Sequence, residues 1–128
     1  MAFVLDASAL LALTFREPGV DVVGAALKAG AQMSAVNVAE VASRLHQEGW
    51  TDFGVNALFQ DLPILVLPFD FDAAALCGRY RPLTDHLGLS LGDRACIATA
   101  YLQAGTALTA DRAWTQLDLE GVAISCIR

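Results

Sequence analysis

The sequence predicts an α/β domain built on a parallel sheet, and two observations carry that expectation. Short apolar runs alternate with stretches of helical spacing, and glycine, proline or a capping residue marks the boundaries between them. Length and composition agree with this. A chain of 128 residues suits one domain with its own core, and hydrophobic residues make up 55% of it against 17% charged. That balance excludes disorder and points to a densely buried fold, a face that takes a partner, or both. No repeat, low-complexity tract or linker interrupts it, so residues 1–128 read as a single domain.

The elements follow in order. Residues 2–5 are an apolar run, read as a buried first strand; Asp6 follows at once and no basic flank precedes it, so it does not read as a secretory leader. Residues 8–15 form a short helix ended near Pro18 and Gly19, and 20–28 a second helix closed by Gly30. Residues 31–34 are a second strand. Residues 36–48 form a helix stopped by Gly49, and 52–62 another ended by Pro63. Ile64-Leu65-Val66-Leu67 is the clearest strand. Residues 70–80 are helical and 82–89 a loop opened by Pro82. Residues 91–103 form a helix stopped by Gly105, 106–109 a strand, 112–117 a short helix and 122–127 a last strand.

Nothing in the sequence is long and apolar enough to span a membrane. Cys77, Cys96 and Cys126 are odd in number, widely spaced and set among apolar neighbours, which reads as reduced core thiols of a cytoplasmic protein. His46 and His86 have no ligand partner at zinc spacing. The net charge of −6 speaks against a nucleic-acid binder. That objection weakens if four of the fourteen acids hold cations, because ten acids then face eight bases.

Those four are Asp6, Glu40, Asp93 and Asp111. In a parallel α/β sheet the strands end at one edge and ligands bind in the crevice there. Asp6 directly follows the first strand, and Asp111 lies just beyond the strand at 106–109. Glu40 is in the second turn of the helix after the second strand, and Asp93 in the first turn of the helix that leads into the 106–109 strand. Topology therefore gives all four a reason to converge. Two carboxylates about 4 Å apart repel by roughly 4 kcal/mol at an effective dielectric near 20. A hard divalent cation removes that cost, and an all-oxygen set suits Mg²⁺ or Mn²⁺ rather than zinc.

Each acid also has a structural explanation. Asp6 and Asp111 stand where helix N-caps belong. Ser90 and Asp93 have the spacing of a capping box. Glu40 and Arg44 stand four apart, as a helix ion pair. Glu40 is the least well explained this way, because Val36, Val38, Ala39, Val41 and Ala42 surround it. Trp50 and Trp114 read as core or interface residues. A dinucleotide site is excluded by the lack of a GxGxxG after the first strand. A receiver domain is excluded by the placement of Lys28, and a haloacid-type phosphatase by Ser8 standing where a second Asp is needed.

The segments Leu5-Asp6-Ala7-Ser8-Ala9-Leu10, 34–41 around Asn37 and Glu40, 91–100 around Asp93, and 108–114 around Asp111 resemble a PIN domain, and within it the VapC type of toxin ribonuclease. The resemblance spans nearly the whole chain, with no departure at the four acids. It implies a three-layer α/β/α fold with a central parallel sheet of about five strands. It implies that Asp6, Glu40, Asp93 and Asp111 coordinate Mg²⁺ or Mn²⁺ and catalyse hydrolysis of RNA phosphodiester bonds, leaving 5′-phosphate and 3′-hydroxyl ends. Ser8 matches a hydroxyl beside the first Asp, and Asn37 a position that hydrogen-bonds within the site. A homodimer and a small antitoxin protein are the implied partners. Arg16, Arg44, Arg94 and Arg112 are the candidates for steering the RNA backbone. The alternative is a non-catalytic PIN-like module acting only in protein association.

Overall fold

A computed structural model of the chain describes residues 2–128. Its strands are β1 (Phe3–Leu5), β2 (Ala31–Ser34), β3 (Ile64–Leu67), β4 (Thr106–Thr109) and β5 (Ala123–Cys126). Its helices are α1 (Ala7–Thr14), α2 (Val20–Gly30), α3 (Ala35–Gln47), α4 (Asp52–Asp61), α5 (Phe71–Thr84) and α6 (Leu91–Leu102). Short 3₁₀ helices cover Asp85–Leu87 and Arg112–Gln116. The strands are all parallel, in the order β3-β2-β1-β4-β5.

Strands this short are held by burial on both faces, and the side-chain alternation of β1 and β4 shows how. Val4 and Ala107 face one layer, where they pack with Leu76, Cys77, Tyr80, Cys96, Ile97 and Trp114 of α5, α6 and the 3₁₀ helix after β4. Leu5 and Leu108 face the other layer, with Ala9, Ala12, Val23 and Leu27 of α1 and α2. Leu10, Met33, Val41, Leu45 and Val55 join α1, α3 and α4 to β2. The three-layer α/β/α sandwich expected from the sequence is thus the observed fold. Trp114 is fully buried, and Cys77 and Cys96 are buried free thiols, with Cys126 half-buried. Among the described residues no helix is long and apolar enough to cross a membrane.

Two expectations need correcting. The segment expected to be a loop from Pro82 is helical as far as Thr84, with Pro82 inside α5. Proline donates no hydrogen bond to the carbonyl four residues back. The helix continues because Tyr80 and Thr84, on the same face, are both buried, and the Thr84 hydroxyl donates to the Tyr80 carbonyl at 2.9 Å. The second correction concerns the end of α6. Ala104, not Gly105, takes the left-handed conformation (φ 51°), and the Gly105 N–H donates to the Ala100 carbonyl at 2.9 Å. Gly105 serves instead for close approach, since a β-carbon there would press on the Ala2 carbonyl of the β1 segment.

Candidate active site

The loop after β1 leads towards β2 and the chain reaches β4 on the other side of β1, so the direction of winding switches between β1 and β4. The crevice at such a point is where parallel α/β sheets bind ligands. Asp6 leaves β1 there, and Thr109 ends β4 beside it.

Asp6 is the most deeply placed of the four acids, only 4% exposed. It caps α1, with Oδ1 accepting from the Ala9 N–H (2.8 Å) and from the Ser8 hydroxyl (2.7 Å). Oδ2 accepts from the Thr109 hydroxyl at 2.6 Å. Ser8 is fixed in turn, because its oxygen accepts from the Ala110 N–H at 2.9 Å. Burial outweighs these hydrogen bonds and pushes the Asp6 carboxyl up to about 6, with a further push from the Asp93 charge.

Glu40 rises from α3, capped by Ser34. Its carboxyl is also pushed up by desolvation, against the hydrogen bond from Asn37 and with the Asp93 charge adding to the rise. Asn37 is fully buried, and its Nδ2 donates both to Glu40 Oε1 (2.7 Å) and to the Gly92 carbonyl (3.0 Å). The Asn37 Oδ1 atom is buried with no protein partner among the described residues.

Asp93 sits at the third position of α6 and completes a capping box with Ser90. Its Oδ2 accepts from the Ser90 N–H (2.9 Å), and its own N–H donates to the Ser90 hydroxyl (3.2 Å). Asp111 caps the 3₁₀ helix after β4, with Oδ1 accepting from the Ala113 N–H at 3.0 Å, and it is exposed.

The charges of three acids reach one buried thiol. The Cys96 thiol is pushed well up, first by its burial and then by the charges of Asp6, Asp93 and Glu40. Asp111 is tied to Asp6 through Thr109, whose hydroxyl donates to Asp6 and accepts from the Asp111 N–H at 3.1 Å. Among the described residues no three acids, histidines or cysteines stand close enough together to hold a metal ion as they are. The donor chemistry nevertheless suits a hard cation. No arginine, lysine or histidine among the described residues pairs with any of the four acids. Among the described residues, one oxygen each of Glu40, Asp93 and Asp111 takes no hydrogen bond.

The arginines separate. Arg94 does not face solvent: it is 7% exposed, wedged between α5 and α6, with Nη1 donating to the Cys77 carbonyl at 3.0 Å. An RNA contact for it is corrected on that ground. The Glu40–Arg44 ion pair is also corrected, because Arg44 bonds Glu48 at 3.0 Å and lies over the Phe15 ring at 5.3 Å. Arg16 and Arg112 are exposed, and Arg112 Nε donates to the Arg128 carbonyl at 2.9 Å. Two site residues escaped the sequence reading. Thr109 was legible only as a strand end, and Gly92 only as part of a segment around Asp93.

The PIN domain family matches residues 3–119. The chain belongs to the PIN-domain family. No curated protein sequence matches it. Solved PIN-like structures cover nearly all of it at low identity. VapBC2 from Rickettsia felis, solved bound to a DNA fragment from its promoter, matches with a TM-score of 0.77 at 13% identity over 98% of each chain. VapBC-5 from Mycobacterium tuberculosis, a member of the VapBC family of toxin–antitoxin systems, matches with a TM-score of 0.68 at 24% identity, again over 98% of each chain. Mycobacterium tuberculosis VapC20, described as a sarcin-ricin loop cleaving toxin, matches with a TM-score of 0.74 at 15% identity over 88% of this PIN domain and 92% of that chain.

Proposed function

We propose that this PIN domain is a metal-dependent endoribonuclease using Mg²⁺ or Mn²⁺, and the toxin of a toxin–antitoxin pair. The observation that carries the chemical part is Asp6: a carboxylate 4% exposed at the switch point of the sheet, near Asp93 and with no basic partner among the described residues. A buried charge needs a counter-charge, and a divalent cation supplies it. Asp6, Glu40 and Asp93 would hold the cation, with Asp111 at the rim. When bound, such a cation polarises a phosphate oxygen and stabilises charge at phosphorus.

The chain's own residues do the rest. Ser8, Thr109 and the Ala9 N–H hold Asp6 in one rotamer. Asn37 holds Glu40. Asp93 or Asp111, each with one oxygen that takes no hydrogen bond among the described residues, orients a water for in-line attack and accepts its proton, and the 3′ oxygen of the RNA leaves. Exposed Arg112 and Arg16 are the candidates for the phosphate backbone. The antitoxin, the homodimer and a cytoplasmic location are proposed from the likeness to the VapBC structures.

The rival reading, a non-catalytic interaction module, draws on one observation: Asp93 and Asp111 each commit an oxygen to a helix cap, and among the described residues no three acids gather at metal distance. Incubation of purified chain with structured RNA decides between them, with Mg²⁺, Mn²⁺ or EDTA present and Asp93→Asn as control. The nuclease reading expects cleavage that EDTA stops and that a folded Asp93→Asn chain lacks. Cleavage undiminished in that variant sinks the assignment, and no cleavage with no Mn²⁺ bound at millimolar concentration favours the module. Relief of a growth defect by co-expressing a neighbouring small protein tests the toxin role separately.

A further inference from the structure

Gly92 is the second residue of α6, and its backbone is ordinary right-handed helix. Alanine fits that conformation and favours a helix more than glycine does, so nothing in the local backbone calls for glycine. The Glu40 carboxylate does. A β-carbon on residue 92 would collide with the Cδ and both oxygens of Glu40, which reach it from α3. Asn37 closes the arrangement by donating to Glu40 Oε1 and to the Gly92 carbonyl at once, from a fully buried position. The carboxylate is therefore seated on the bare Cα of α6 and held there by a clamp that grips both helices.

We propose that Gly92 is a positioning residue of the site: its missing side chain forms the seat that sets the Glu40 carboxylate against the first turn of α6, beside Asp93. The inference rests on the metal-dependent reading above. It has a specific consequence, because the colliding atoms are the far end of a flexible side chain. Gly92→Ala leaves the fold intact and swings the Glu40 carboxylate off its seat.

Mn²⁺ titration and metal-free thermal unfolding test this on the full chain, on Gly92→Ala, on Glu40→Gln and on the double variant. Gly92→Ala is expected to unfold at the same or a higher temperature and to bind Mn²⁺ at least about tenfold more weakly, the range seen when a ligand's support is removed. In the Glu40→Gln background the added alanine is expected to change Mn²⁺ affinity no further, because the two residues act as one. Asn37→Ala, which releases the carboxylate without adding bulk, is expected to weaken Mn²⁺ binding in the same direction. Unchanged affinity in Gly92→Ala, or an equal loss with and without Glu40, overturns the positioning role and leaves the metal reading standing. A clearly lower unfolding temperature also counts against it, since Gly92 would then be a packing requirement. Failure of the unsubstituted chain to bind Mn²⁺ removes the metal reading, and the seat's role with it.

Discussion

Replacing Asp6 by asparagine separates what the site needs from what the fold needs. Asp6 is 4% exposed, and burial pushes its carboxyl from 3.8 to about 6. An acid whose pKa is raised by folding holds its proton more tightly folded than unfolded. Its ionisation therefore works against the fold. The cost is absent below about pH 4, grows between pH 4 and 6, and levels off above. The rise from 3.8 to about 6 corresponds to roughly 3 kcal/mol at neutral pH. Asparagine keeps the shape, still accepts from the Ala9 N–H and the Ser8 hydroxyl, and can donate to Thr109 once that hydroxyl rotates. Metal-free Asp6→Asn should therefore be more stable than the unsubstituted chain at pH 8, by up to about 3 kcal/mol or on the order of 10 °C in Tm. The gain should shrink towards pH 4. Mn²⁺ should reverse the order, raising the Tm of the unsubstituted chain and not that of the variant. Thermal unfolding followed by circular dichroism at pH 4, 6 and 8, with EDTA and with Mn²⁺, measures all of this. A variant less stable at pH 8, or a difference indifferent to pH, refutes the reasoning.

Three further substitutions carry expectations of their own. Arg94→Ala should lose about 2 kcal/mol in urea denaturation, from lost packing and an unpartnered Cys77 carbonyl. Arg112→Ala should leave stability within about 0.5 kcal/mol and weaken RNA retention in a filter-binding assay. Equal loss of RNA binding in folded Arg94→Ala would contradict its burial. Ala104→Gly should gain about 1 kcal/mol, because alanine strains the left-handed position that ends α6; a loss in the same denaturation experiment would show that the Ala104 side chain packs usefully.

Most element boundaries were legible because this chain punctuates its elements heavily. Gly30 closes α2 directly before β2, Pro63 precedes β3, and Ser34, Asp70 and Ser90 cap the helices that follow them. α5 was misread because Pro82 is a local signal, while the Tyr80 and Thr84 burial that overrides it is tertiary. The same division holds at the site. Asp6, Asp93 and Asp111 were visible through their places after strands and at helix starts, where capping and ligation share one location. The partner of Arg44 was not legible, because Glu40 and Glu48 stand at the same spacing from it on either side. What decides between them is that α6 brings Gly92 and Asp93 to Glu40. Arg94 looked like a surface cation for a similar reason: one residue along a helix turns the side chain from the crevice edge into the α5–α6 interface.

The winding of the sheet also governs when the site comes into being. β1, which carries Asp6 at its end, has β4 as one of its two neighbours, and the hydroxyl that grips Asp6 belongs to Thr109, 103 residues further on. A chain emerging from the ribosome thus makes Asp6 long before the strand whose hydroxyl grips it. Until β4 arrives, β1 is an open edge and Asp6 lacks the Thr109 hydroxyl. The topology thus withholds the complete set of hydrogen bonds around Asp6 from every partial chain that stops short of β4.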